Sequence, residues 1–247
     1  MSDKKYNLDV QENQAVKDAY SMLCGNIYME SDNRKIKSIV ITSSEPKTGK
    51  TSVATSLAMT MASWGKRTIL IDADMRKRNN KKVPKWGSGF GLSHYLNGNA
   101  ELEEVLCDTN IEGLMYIPNG SISLNPIGLV CSSRLGKLLD RLRNDFDYII
   151  VDTPPLDAVS DAALISAKVE AVLLVAKMGR TDLVSVNRSR QKLEKVNASL
   201  LGVIINNVNK RQYKRYFKEY KYFCTTKKET VTNTKADKKA DKKAVMA

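Results

Sequence analysis

Residues 38–51 read S-I-V-I-T-S-S-E-P-K-T-G-K-T, an apolar run over 38–41 followed by a loop that closes on Gly49-Lys50-Thr51, and residues 52–63 after it are compatible with a helix. Strand, loop and helix in that order are the setting in which G-K-[ST] ends a phosphate-binding loop. Helix-start N–H groups cradle phosphate oxygens, the lysine reaches the β- and γ-phosphates, and the threonine hydroxyl ligates Mg²⁺. The strict pattern has glycine where this chain has Ser44, and Lys47 stands where a second loop glycine would ease the backbone turn.

Downstream, residues 67–71 form a second apolar strand without alternation, as expected when both faces are covered, and it ends in Asp72-Ala73-Asp74. A third full strand over 146–151 ends in Asp152-Thr153-Pro154-Pro155, with further strands over 114–117, 171–176 and 200–206. Apolar spacing predicts helices over 52–63, 102–106, 125–142, 158–167 and 183–196, and a short helix over 92–96 inside a surface excursion at 79–98. Residues 9–29 read as one or two amphipathic helices, broken at Asp32-Asn33-Arg34-Lys35.

Strands alternating with helices predict an α/β fold with a doubly wound, mainly parallel sheet in a single domain. The expected divisions are an N-terminal helical segment over 1–35, a P-loop core over 36–209, and a basic tail over 210–247 with solvated disorder from about residue 225. Ligands of such sheets lie beyond the carboxyl ends of the strands. The phosphate loop, Asp72, Asp74 and Asp152 all fall there.

The chain has 247 residues, 42% of them hydrophobic, enough for one substantial core. Its longest apolar runs, such as 171–176 and 200–205, are strand-sized, so neither a signal peptide nor a membrane span is expected. Cys24, Cys107, Cys131 and Cys224 lack a C-x-x-C pair, and the single histidine, His94, reads as an ordinary helix residue, leaving no zinc set and suggesting reduced thiols. Of the net charge of +13, +9 falls in residues 210–247, where 13 Lys+Arg face 4 Asp+Glu. Such a tail suits nucleic acid, an anionic membrane surface or an acidic partner, and charge alone does not choose.

One strand-end carboxylate can simply cap the next helix. Three of them beside G-K-T match the inventory of phosphoryl transfer: a lysine and loop amides on the phosphates, Mg²⁺ with acidic residues around it, and a group to orient the nucleophile.

With these motifs in hand, residues 68–78, T-I-L-I-D-A-D-M-R-K-R, resemble the Walker A′ of the bacterial tyrosine kinases of capsule and exopolysaccharide export systems. Residues 146–162, F-D-Y-I-I-V-D-T-P-P-L-D-A-V-S-D-A, are similar to that family's Walker B segment. The resemblance runs from about Gln14 to Asn209, and G-L-S-H-Y-L-N-G at 91–98 and Asn125-Pro126 with Ser132-Ser133 fit it too. It implies ATP and Mg²⁺ as cofactors, Thr48, Gly49, Lys50, Thr51 and Ser52 on the nucleotide, and Asn206 near the adenine. It further implies Thr51, Asp74 and Asp152 at Mg²⁺, and Asp72 or Asp74 aiding deprotonation of an attacking tyrosine hydroxyl.

The family autophosphorylates a C-terminal tyrosine cluster, which places Tyr213, Tyr216, Tyr220 and Tyr222 as acceptors. Read without the resemblance, tyrosines among Lys and Arg also fit an amphipathic or nucleic-acid-binding tail. The implied partners are protein tyrosine substrates and a membrane-embedded polysaccharide co-polymerase acting as modulator, with a cytoplasmic chain held at the inner face of the membrane through that partner; nucleic acid is not expected. The family's E-x-x-R-x-x-R helix pattern reads Asp18, Ser21 and Cys24 here, so self-association is left open. Two other readings share the fold. One is a partitioning or cell-division-site ATPase switch, whose signature lysine is replaced by Glu45; the other is a nucleotide-binding scaffold without kinase activity. An iron–sulfur carrier is disfavoured by the cysteine spacing.

Overall fold

The computed structural model describes residues 5–8, 14–77 and 89–209. Tyr213, Tyr216, Tyr220, Tyr222 and Cys224 lie outside them, as do residues 79–88, the first half of the expected excursion at 79–98. Among the described residues one sheet contains β1 (Lys5–Tyr6), β2 (Ser38–Thr42), β3 (Thr68–Asp72), β4 (Cys107–Thr109), β5 (Leu114–Ile117), β6 (Tyr148–Asp152), β7 (Ala171–Lys177) and β8 (Leu200–Asn206). Their spatial order is β1-β4-β5-β3-β6-β2-β7-β8. Neighbours are parallel except β4 with β5.

The helices are α1 (Gln14–Arg34), α2 (Lys50–Ser63), α3 (Leu92–Asn97), α4 (Leu102–Val105), α5 (Pro126–Cys131), α6 (Ser133–Asp145), α7 (Asp161–Ser166) and α8 (Leu183–Glu194). Alternate residues of the central strands feed two cores. Ile39, Ile41, Leu70, Ile150 and Leu173 meet Ile27 of α1 and Leu57 and Met61 of α2. On the opposite face Val40, Ile69, Ile71, Ile149 and Val151 meet Leu96, Val130, Leu138, Leu142 and Leu193 from α3, α5, α6 and α8. Both faces being covered explains the unbroken apolar runs. Each fully buried Leu or Ile contributes about 1.5–3 kcal/mol. α2 stops where Gly65, at φ 75, turns left-handed and donates its N–H to Ala62 O.

Three local expectations shift. α1 is one helix that runs through Asp32 and Asn33 and ends only at Lys35, φ 53; the Ser31 hydroxyl on Ile27 O and the Arg34–Glu30 pair occupy its last turns. The single helix expected over 125–142 is two, because Ser132 takes an extended conformation and its hydroxyl donates to Leu129 O at 2.7 Å, in competition with the backbone ladder. β1 and β4 were not foreseen: at two and three residues they carry no periodicity, and only their pairing with each other and with β5 defines them. Among the described residues no helix is long and apolar enough to cross a membrane.

Candidate active site

β2 delivers the phosphate loop and α2 begins inside it. Gly49, at φ 92, precedes Lys50, and a Cβ there would stand 2.2 Å from Asn206 Nδ2. Glycine is therefore required twice, by conformation and by close approach. Lys47, where a loop glycine was expected to help, does take the left-handed conformation, φ 62, at a cost of roughly 1–2 kcal/mol for a side chain with a Cβ. Ser44 has a different explanation. Its side chain is fully buried under α8, donating to Ser185 O and accepting from the Ser189 hydroxyl at 2.9 Å, so this departure from glycine fastens the loop to α8.

α2 starts without a side-chain cap and without an acidic residue in its first turn. Its first N–H groups thus await an anion, and Thr51 and Ser52 are exposed beside them. Thr48 Oγ1 and Asp152 Oδ1 are buried with no hydrogen-bond partner. Buried polar groups are normally satisfied, and these two lie where phosphate and Mg²⁺ would satisfy them, so the residues present fit Mg·ATP.

β3 and β6 are neighbours in register Asp72↔Asp152, which puts two carboxylates side by side at the strand ends. Ala73 donates its N–H to Asp152 O, and Asp74 N–H donates to Asp72 Oδ1 at 3.0 Å. Burial, reinforced by the Asp152 charge, pushes the Asp72 carboxyl up to about 7. Burial likewise raises Asp152 to about 6, against the opposing effects of a Thr51 hydrogen bond and the Lys50 charge. Burial lowers the Lys50 ammonium from its ordinary value, opposed by Asp152 and Asp74. One lysine and three acids therefore share one partly buried, electrostatically coupled place, the condition under which a bound cation is favoured.

Asn206, expected beside the adenine, closes β8 and donates its Nδ2 to Thr48 O at 2.9 Å, so its amide holds the phosphate loop itself. Asp18 lies on the exposed side of α1 and accepts from Gln14, whereas Cys24 is 2% exposed and packs in the core, its thiol pushed up to about 12 by burial. The third position of the absent arginine pattern therefore serves packing. His94 is the helix residue expected: its Nδ1 accepts from Gly91 N–H at the start of α3. Sequence reasoning did not assign Asn119, Arg76 or Asp161, which grip the turn carrying Asp74. Arg76 and Asp161 stood inside the quoted segments, but nothing local marks them as partners.

A glycine-hinged loop entering a helix, with acids at two adjacent strand ends, defines a P-loop nucleotide-binding protein, and the family model described as an AAA domain matches residues 36–200. The tyrosine-protein kinase CpsD of Streptococcus pneumoniae serotype 4 is 39% identical over 191 residues, 77% of this chain and 83% of that protein. The solved kinase domain of the Escherichia coli tyrosine kinase ETK superposes with a TM-score of 0.75 at 33% identity, covering 79% of this chain and 76% of that one. The chain belongs to this family of bacterial capsule-type tyrosine-protein kinases. The septum site-determining protein MinD of Pyrococcus horikoshii, at 21% identity and a TM-score of 0.57, shares the fold alone.

Proposed function

We propose that the chain is an ATP-dependent protein-tyrosine kinase that autophosphorylates Tyr213, Tyr216, Tyr220 and Tyr222 and thereby regulates capsular or exopolysaccharide synthesis and export. The observation that carries this reading is the Asp72–Asp152 pair set against Lys50 at the mouth of an uncapped helix. Lys50 and the loop N–H groups of Thr48, Gly49, Thr51 and Ser52 bind the phosphates, and Asn206 keeps that loop in place beside the adenine. Mg²⁺, held by Thr51, Asp74 and Asp152, would neutralise charge on the β- and γ-phosphates. A phenol with a pKa of about 10 is a poor nucleophile at neutral pH, so Asp72 or Asp74 accepts its proton. The phenolic oxygen forms the new bond to the γ-phosphorus as the bond to the β–γ bridging oxygen breaks, and ADP leaves with that electron pair.

The tail's charge of +9 suits entry into an acidic site on a neighbouring copy. A membrane-embedded modulator whose cytoplasmic tail completes the site would hold the chain at the inner face of the membrane, so activity should rise when that tail is added. The deciding experiment is mass spectrometry after incubation with Mg·ATP. Phosphate should appear on tail tyrosines of the wild type and be absent from a folded Lys50→Met chain, which lacks the cation on the β/γ-phosphates. Equal labelling of the two would refute the site, and ATP hydrolysis without phosphotyrosine would mark a switch instead.

A further inference from the structure

The turn that follows β3 and carries Asp74 has few bonds of its own: Asp74 N–H reaches Asp72 Oδ1, Met75 N–H reaches Ala73 O and Lys77 N–H reaches Asp74 O. Backbone bonds join it to Asp152 O through Ala73 N–H and to Ser123 N–H through Met75 O, and side chains grip it from outside on two sides. Asn119, just past β5 and 2% exposed, donates through Nδ2 to both Asp74 O and Lys77 O, each at 3.0 Å. Across the turn, Arg76 makes a two-pronged ion pair with Asp161, Nε to Oδ2 at 2.8 Å and Nη2 to Oδ1 at 3.0 Å. Asp161 opens α7 and is 0% exposed. A wholly buried carboxylate persists only when paired, and the planar guanidinium fork fixes orientation as well as distance. Because Asp161 lies on the segment that leaves β6, this pair ties together the two loops that carry Asp74 and Asp152.

We propose that Asn119 and Asp161 are positioning residues for phosphoryl transfer, holding residues 73–77 so that Asp74 faces Lys50 and the Asp72–Asp152 pair. This inference rests on the kinase reading. Neither residue touches the nucleotide in this scheme. Their loss should therefore slow chemistry while leaving nucleotide binding nearly intact, a split that a general loss of folding would not produce.

The test uses the full chain as wild type, Asn119→Ala, Asp161→Asn, Arg76→Lys and the Asn119→Ala/Asp161→Asn double variant. Single-turnover transfer from Mg·ATP to tyrosine, ADP affinity in the absence of Mg²⁺ and thermal melting are measured on each. Displacing Asp74 by about 1 Å should lower the transfer rate about 10- to 100-fold, with the affinity for ADP in the absence of Mg²⁺, which does not depend on Asp74 as a metal-holding group, changed by less than about threefold. Arg76→Lys keeps the charge but loses the fork and should show the same fall while still melting cooperatively, which covers the case in which Asp161→Asn does not fold. Since both clamps act on one turn, the double variant should lose less than the product of the single losses. Transfer at the wild-type rate in cooperatively melting variants overturns the proposal, as does affinity falling in step with rate, or losses that multiply. A wild type that transfers no phosphate to tyrosine overturns the kinase reading and this inference with it, whereas an active wild type with unaffected variants overturns the inference alone.

Discussion

Gly49→Ala probes the junction of loop and helix most directly, because two independent costs meet at one atom. Alanine at φ 92 takes on roughly 1–2 kcal/mol of left-handed strain. Its Cβ would fall 2.2 Å from Asn206 Nδ2, so the amide must swing away and the bond to Thr48 O is lost, at roughly 1 kcal/mol. The sum, roughly 2–3 kcal/mol, corresponds to a melting temperature lower by about 4–12 °C for a domain of this size. Relieving the clash by moving the loop about 1 Å would also slow phosphoryl transfer about 100-fold. The assay is thermal melting of Gly49→Ala, Asn206→Ala and the double variant, with transfer rates alongside. Asn206→Ala alone should cost roughly 1 kcal/mol. The double variant should then be about as stable as Gly49→Ala, since the side chain that clashes is already gone. Strictly additive losses, or a Gly49→Ala protein that melts with the wild type, would refute the reasoning.

If the tail is substrate and switch, a full-length Lys50→Met chain mixed with wild type truncated before Lys210 should become phosphorylated on tyrosine. Four phosphates would bring roughly −6 to −8 charges against the tail's +9 and loosen assembly, which size measurement checks; an unlabelled Lys50→Met chain excludes transfer in trans. Burial by itself would raise the Glu170 carboxyl, but hydrogen bonds from Ser38 and the Arg143 charge outweigh it and hold it below the ordinary glutamate value. With a depressed folded value its stabilisation is present above the unfolded pKa, about 4.3, and lost as pH falls through the folded one. Glu170→Gln should therefore melt earlier than wild type at neutral pH and converge with it in acid, and a gap independent of pH would contradict this. Alkylation near neutral pH should label exposed Cys131 and spare Cys24, buried with its thiol at about 12. Peptide mass spectrometry reads the result, and early labelling of Cys24 would place α1 elsewhere.

The relation of sequence to site differs residue by residue. Lys50 and Thr51 were legible from the G-K-T motif between a strand and a helix, and Asp72, Asp74 and Asp152 because they follow directly on apolar runs, which when buried on both faces mark parallel strands whose carboxyl ends share one edge. Lys47 was legible as a backbone problem, and its φ of 62 bears this out. Ser44 was read only as a departure from the glycine of the strict pattern, yet its hydroxyl bonds to α8 residues 141 and 145 positions away. Asn206 was placed by resemblance near the adenine, while its observed contact is with the loop.

The sequence by itself determined the α/β class, the strand–loop–helix at residues 38–63 and the set of acids at the strand ends, because burial on both faces imposes a composition that can be read locally. Only the tertiary structure decided the β1–β4 pairing, the Asn206 clamp across 158 residues and the Arg76–Asp161 pair across 85. Polar contacts of that span follow from where side chains meet after the layers pack, and no period in the chain encodes them.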